Sequence, residues 1–140
     1  MVDIDIPSGT GTKENPWKLQ TPPKTSDYEM YIDVKDGNKI IVCTVGKTVL
    51  HYDFRALSDL YEVLKKHNDW KLLGSTDEQK PAKEGTVEAW ARSPENPIGG
   101  WYGLKKGLRG RFAMYIPPLM EKLGLTELEH NPRDNRIKTK

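Results

Sequence analysis

The sequence predicts an α+β fold, with an N-terminal antiparallel β-meander and one long helix, then a mostly helical C-terminal half ending in a β-hairpin. Three observations lead there. Tyr28, Met30, Ile32 and Val34 alternate with Glu29, Tyr31 and Asp33, the period of a half-buried strand. Phe54, Leu57, Leu60, Tyr61 and Leu64 recur at helical spacing. From Thr86 to Lys138 the signals run helix, helix, helix, hairpin, an order that matches the tail of a winged-helix arrangement.

The elements follow in chain order. Residues 1–26 contain Pro7, Pro16, Pro22 and Pro23 and read as an extended arm, anchored by Trp17 and Leu19. After the first strand, Asp36-Gly37 supplies two left-handed positions for a tight hairpin turn. Lys39–Val45 is almost continuously apolar, which predicts a strand covered on both faces, and Cys43 within it reads as a small core residue. Thr48–Tyr52 completes the meander after Gly46-Lys47.

Asp53 is the expected N-cap of a helix over 54–67, because its carboxylate can accept from a free amide of the first turn. Trp70–Leu73 suits a short returning strand. The polar run GSTDEQKPAKEG at 74–85 reads as a loop. Thr86 caps a short helix through Val87, Trp90 and Ala91. Pro117-Pro118 suits the first turn of a further helix through Lys122, with Gly124 just past its end. Leu125–His130 and Asn135–Lys138 then form the hairpin. The organisation is an arm at 1–26, a meander-plus-helix half at 27–74, a linker at 75–86 and a helical half at 87–140, together one compact domain.

Composition narrows the function classes. A single cysteine forms no internal disulfide, and no Cys/His cluster has zinc spacing, so no metal or cofactor is expected. No run approaches the roughly 20 apolar residues that span a bilayer. The N-terminus lacks the pattern of a signal peptide, so the expected compartment is the cytoplasm, with no membrane partner. The overall net charge is +2, but residues 98–140 carry nine Lys/Arg against four Asp/Glu. That asymmetry favours an anionic partner for the C-terminal part.

The most informative segment is GGWYGLKKGLRGR at 99–111, with Lys105, Lys106, Arg109 and Arg111, five glycines and no acid. Main-chain amides that glycine leaves accessible, flanked by cations, suit phosphate. Trp101 and Tyr102 are candidates for stacking on bases. The competing reading is a helix whose Gly103, Gly107 and Gly110 share one face and let it cross a neighbour closely. Arg133 and Arg136 on the terminal hairpin extend the candidate surface. The helix from Pro117 occupies the recognition position of a winged helix but offers no Arg, Asn or Gln to read base edges. The segment is neither a Walker A loop nor a dinucleotide fingerprint.

No catalytic residue is assigned. His51 and Asp53 could pair as a base and its orienter, but no nucleophile accompanies them. His67 at a helix end needs no role beyond favourable interaction with the dipole. Glu127 and Glu129 share one strand face as solvated decoration.

The segments GTKENPWKLQTPP (11–23), DEQKPAKEGTVEAWARSPENP (77–97) and GGWYGLKKGLRGRFAMYIPP (99–118) resemble a family of small uncharacterised bacterial proteins of unknown function. The resemblance implies a compact intracellular protein and transfers no catalytic residues. The leading expectation is non-enzymatic binding of nucleic acid or another polyanion through 99–111 and the C-terminal hairpin. The alternatives are a protein-protein interaction module and an enzyme acting on a small phosphorylated or acidic ligand.

Overall fold

The computed structural model describes residues 3–140. Four strands, β1 (Trp17–Gln20), β2 (Asp27–Lys35), β3 (Asn38–Val45) and β4 (Thr48–Asp53), form one antiparallel sheet in chain order. The helix α1 (Arg55–His67) follows, then the two-residue β5 (Lys71–Leu72). The single-turn α2 (Val87–Trp90), the longer α3 (Phe112–Lys122) and strands β6 (Thr126–Leu128) and β7 (Arg136–Thr139) complete the chain. The second sheet has the order β5-β7-β6, so a strand preceding the polar loop is paired with the C-terminal hairpin. Among the described residues no helix is long and apolar enough to cross a membrane.

The arm is more regular than an extended tether. Trp17 and Leu19 anchor it as expected, but they do so within β1, opposite Met30 and Tyr28 of β2. Alternation then sends Tyr28 and Met30 into the core. Asp36 and Gly37 take φ of 52° and 79°, the two left-handed positions of the expected turn. On β3, Ile41 and Cys43 face the core, while Ile40 and Val42 face away from it. Ile40 lies between Asp33 and Asp53, and Val42 between Tyr31 and His51, so both faces of β3 are buried.

Asp53 sits one residue earlier than a cap should. It is the last residue of β4, and Phe54 is the N-cap, without a side-chain capping bond. Asp53 Oδ1 still accepts from the Arg55 amide at 2.9 Å, so it satisfies a first-turn donor from outside the helix. At the other end Asn68 adopts the left-handed conformation and donates its amide to Leu64 O.

The expectation of a mostly helical C-terminal half is overturned. The described residues are 27% strand and 20% helix, and only two of the three helices among them reach seven residues. The winged-helix order fails in the middle, because no helix lies between Trp90 and Phe112. Two physical causes are visible. The Ala91 carbonyl, which a longer helix would use internally, accepts from the Tyr102 amide. The glycines of 99–111 do not line a helical face: a side chain on Gly103 would meet Arg109 Cα at 2.9 Å, and one on Gly110 would meet Leu50 and the Tyr52 hydroxyl. Residues 102–104 instead run beside β4, where Tyr52 and Gly103 form a bridge.

α3 also begins five residues before the expected start. Pro117 and Pro118 are interior, at the cost of two internal hydrogen bonds. Burial of Phe112, Ala113, Ile116, Leu119 and Met120 along the helix offsets that loss. α1, α3 and both sheets contribute to one continuous core, with Tyr52, Tyr102, Leu57, Leu60 and Ile116 fully enclosed.

Candidate anion-binding site

The segment 99–111 is an irregular loop held against β4 on one side and against the polar loop 74–85 on the other. Main-chain bonds fix the first contact: Asp53 N donates to Tyr102 O at 2.9 Å, and Leu104 N to His51 O at 2.9 Å. Carboxylates fix the second. Glu78 Oε2 accepts from the Gly107 amide at 2.8 Å, and Oε1 accepts from the Arg109 amide at 2.9 Å. Arg111 donates from Nε to Asp77 Oδ1 at 2.8 Å. The donors of this loop are therefore engaged by two carboxylates of the chain itself.

Electrostatics agree with this geometry. Partial burial pushes the Glu78 carboxyl up, but the two amide bonds and the nearby Arg109 and Arg92 outweigh it and hold the carboxyl below its ordinary value. The Arg111 hydrogen bond, with its charge, lowers Asp77 in the same direction.

Arg92, just past the end of α2, braces the assembly. It donates from Nε to Glu88 at 3.2 Å and grips the carbonyls of Thr76, Asp77 and Lys80. Glu88 is buried, and its other oxygen accepts from the Ala113 amide at 3.1 Å, so this buried carboxylate is both paired and bonded. The guanidiniums of Arg92 and Arg109 lie over the Trp101 ring, 4.6 and 4.5 Å from its centroid.

The eight residues singled out from the sequence fall into three groups. Trp101 carries two guanidiniums, so an incoming base would have to displace one of them. Tyr102 is fully buried, stacks on Trp90 at 5.1 Å and donates its hydroxyl to Asp59, leaving no face for a base. Arg109 and Arg111 are engaged as described. Lys105 and Lys106 stand exposed at the tip with no ion pair among the described residues, on a turn closed by Leu108 N to Lys105 O. Arg136 makes a bidentate pair with Glu129 and covers Trp70, while exposed Arg133 borders a small cleft of about 260 Å³ beside Pro22, Pro23 and Met114. No hydrogen bond, ion pair or ring contact among the described residues joins the hairpin arginines to 99–111.

The other candidates sit apart from this loop pairing. His51 is half-buried, with its imidazole pushed down by burial and then by Lys35 and Lys105. Asp53 is committed to the Arg55 amide and makes no bond to it. Cys43 is fully enclosed and burial pushes its thiol up, away from the reactive thiolate. Among the described residues no group of three His, Cys, Asp or Glu side chains could hold a metal ion.

Asp77, Glu78 and Arg92 escaped the sequence reading. The one available signal was an acidic pair in a polar loop of a chain that also holds an acid-free basic loop. Their separation of about thirty residues hides the pairing from any local pattern.

Comparison with known proteins agrees with the resemblance in kind. Residues 9–140 match the model of a "Family of unknown function (DUF6855)". No curated protein and no solved structure matches the chain.

Proposed function

The chain belongs to the DUF6855 family of unknown function, and on its geometry we propose that it is a non-enzymatic binding protein for nucleic acid or another polyanion. One observation carries the reading. Lys105 and Lys106 project, exposed and without acidic partners, from a turn whose neighbouring amides already hold a carboxylate. A turn built to bind oxyanions, carrying two free ammonium groups, suits a phosphate backbone better than a neutral partner.

The contacts are electrostatic and independent of sequence, because Trp101 and Tyr102 serve the loop's own architecture. Lys105 and Lys106 touch phosphates first, and Arg133 offers a separate single contact. The nature of the polyanion follows from chemistry alone, as a chain of closely spaced phosphates.

Titration of random single- and double-stranded oligonucleotides at low salt tests this. Affinity should fall with salt at a log–log slope of roughly −0.7 to −0.9 per phosphate contact. Replacing Lys105 and Lys106 together by Gln should flatten the slope by about two contacts' worth and leave folding stability almost unchanged. Absence of binding below about 100 μM, the usual floor for non-specific association, would remove the proposal.

A further inference from the structure

We infer that the amides of Gly107 and Arg109, together with the Arg111 guanidinium, form a phosphate site that the chain fills with Glu78 and Asp77 until a ligand takes their place. This rests on the polyanion reading above and adds to it the occupant that a phosphate must displace.

The geometry is that of an oxyanion site. Two amides two residues apart converge on the two oxygens of a single carboxylate at 2.8 and 2.9 Å, an arrangement equally suited to two oxygens of a phosphate. Arg111, two residues further, holds a second carboxylate at 2.8 Å. The Arg109 guanidinium itself lies over Trp101, with its Nε buried and without a hydrogen-bond partner. Lys105 and Lys106 flank the site and are not neutralised by its present occupants.

The occupants can leave. The Asp77 and Arg111 side chains are 44% and 42% exposed, so water reaches the pair, and ion pairs of this kind are weakly held. The main chain around Asp77 has a separate hold, because Arg92 grips the carbonyls of Thr76, Asp77 and Lys80. Displacement therefore needs only the two acidic side chains to swing outward while the backbone stays docked. In the resting protein these acids lower the affinity for phosphate by the fraction of time they occupy the site.

The test compares wild type, D77N/E78Q and a matched-charge control, E84Q/E95Q, whose two glutamates are exposed and make no side-chain hydrogen bond or ion pair among the described residues. The probe is a short oligothymidylate, with amide NMR as a second readout. Expected is binding by D77N/E78Q about tenfold or more tighter than by the control. Movement of the Gly107 and Arg109 amide resonances should accompany it. Equal gains in both variants would mean that net charge alone acts, which overturns this site and leaves the polyanion reading standing. Tighter binding without movement of those two amides also overturns it, because the ligand then sits elsewhere. Failure of every form to bind removes both readings. If the double variant does not fold, E78Q alone, which retains the Asp77–Arg111 pair, is compared with E84Q alone by the same criteria.

Discussion

The hydroxyl of Tyr102 donates to Asp59 Oδ2 at 2.7 Å, with Tyr102 fully buried and Asp59 only 2% exposed. The bond ties the basic loop to α1, and Asp59 is further paired with Arg55 of the same helix at 3.4 Å. Burial, followed by this bond to a carboxylate, raises the Tyr102 phenol well above its ordinary range, so the hydroxyl remains a donor. Tyr102→Phe removes that donor and leaves the buried Asp59 Oδ2 with only the 3.4 Å ion pair to Arg55. The expected loss is about 1–3 kcal/mol, measured by urea unfolding. An unchanged midpoint would show that water or Arg55 compensates fully.

Asp53→Ala should destabilise the protein by roughly 0.5–2 kcal/mol, the usual range for a lost terminal acceptor. Asp53 bonds the Arg55 amide from within β4, so Asn should substitute for it better than Ala. Thermal melts of the two variants give the comparison, and equal melting temperatures would mean that the bond contributes nothing.

Gly110→Ala should be more damaging than Gly107→Ala. Both residues have positive φ, 65° and 87°, which costs a side chain about 1–2 kcal/mol. Only at Gly110 does the new methyl also collide, with Leu50 Cδ1 at 2.5 Å and the Tyr52 hydroxyl at 2.9 Å. That overpacking adds about 1–3 kcal/mol. Denaturant titration ranks the two, and the reverse order would contradict the packing described for β4.

Acid should loosen the contact between the polar and basic loops. Asp77 and Glu78 have folded-state values below the ordinary carboxylate range. Their contribution is therefore fully present above that range and disappears as pH falls through the lowered values. Hydrogen exchange at the Gly107 and Arg109 amides should accelerate, relative to the core, only once the pH falls below the usual carboxylate pKa of about 4. Loosening that set in near neutral pH would point to a different group.

Cys43 should label slowly in native protein and at the rate of a free thiol once unfolded, because it is fully enclosed in β3. Cys43→Ser places a hydroxyl among apolar neighbours and should cost about 1–3 kcal/mol. Rapid stoichiometric labelling of the folded chain would argue against this packing.

What the sequence determined by itself is the part governed by neighbours along the chain. Alternation at Tyr28–Val34, the Asp36-Gly37 turn, the apolar run of β3 and the apolar face of α1 each have a period or a backbone requirement confined to a few residues. The composition of the basic loop, glycines and cations without acids, was legible in the same way. The tertiary structure decided the rest. Gly103, Gly107 and Gly110 have helical spacing, yet the close approach of Gly103 to Arg109 and of Gly110 to Leu50 and Tyr52, with the Gly107 amide bonded to Glu78, holds them in a loop. Pro117 and Pro118 look like a helix start, yet buried side chains on both sides draw them into the interior of α3. Trp101 and Tyr102 look like stacking residues, but their partners Arg92 and Asp59 lie nine and forty-three positions away. The partner of the Gly107 amide is likewise remote: Glu78 reaches it across twenty-nine positions. A local pattern records what a segment can bind, whereas three-dimensional proximity decides which group reaches it first.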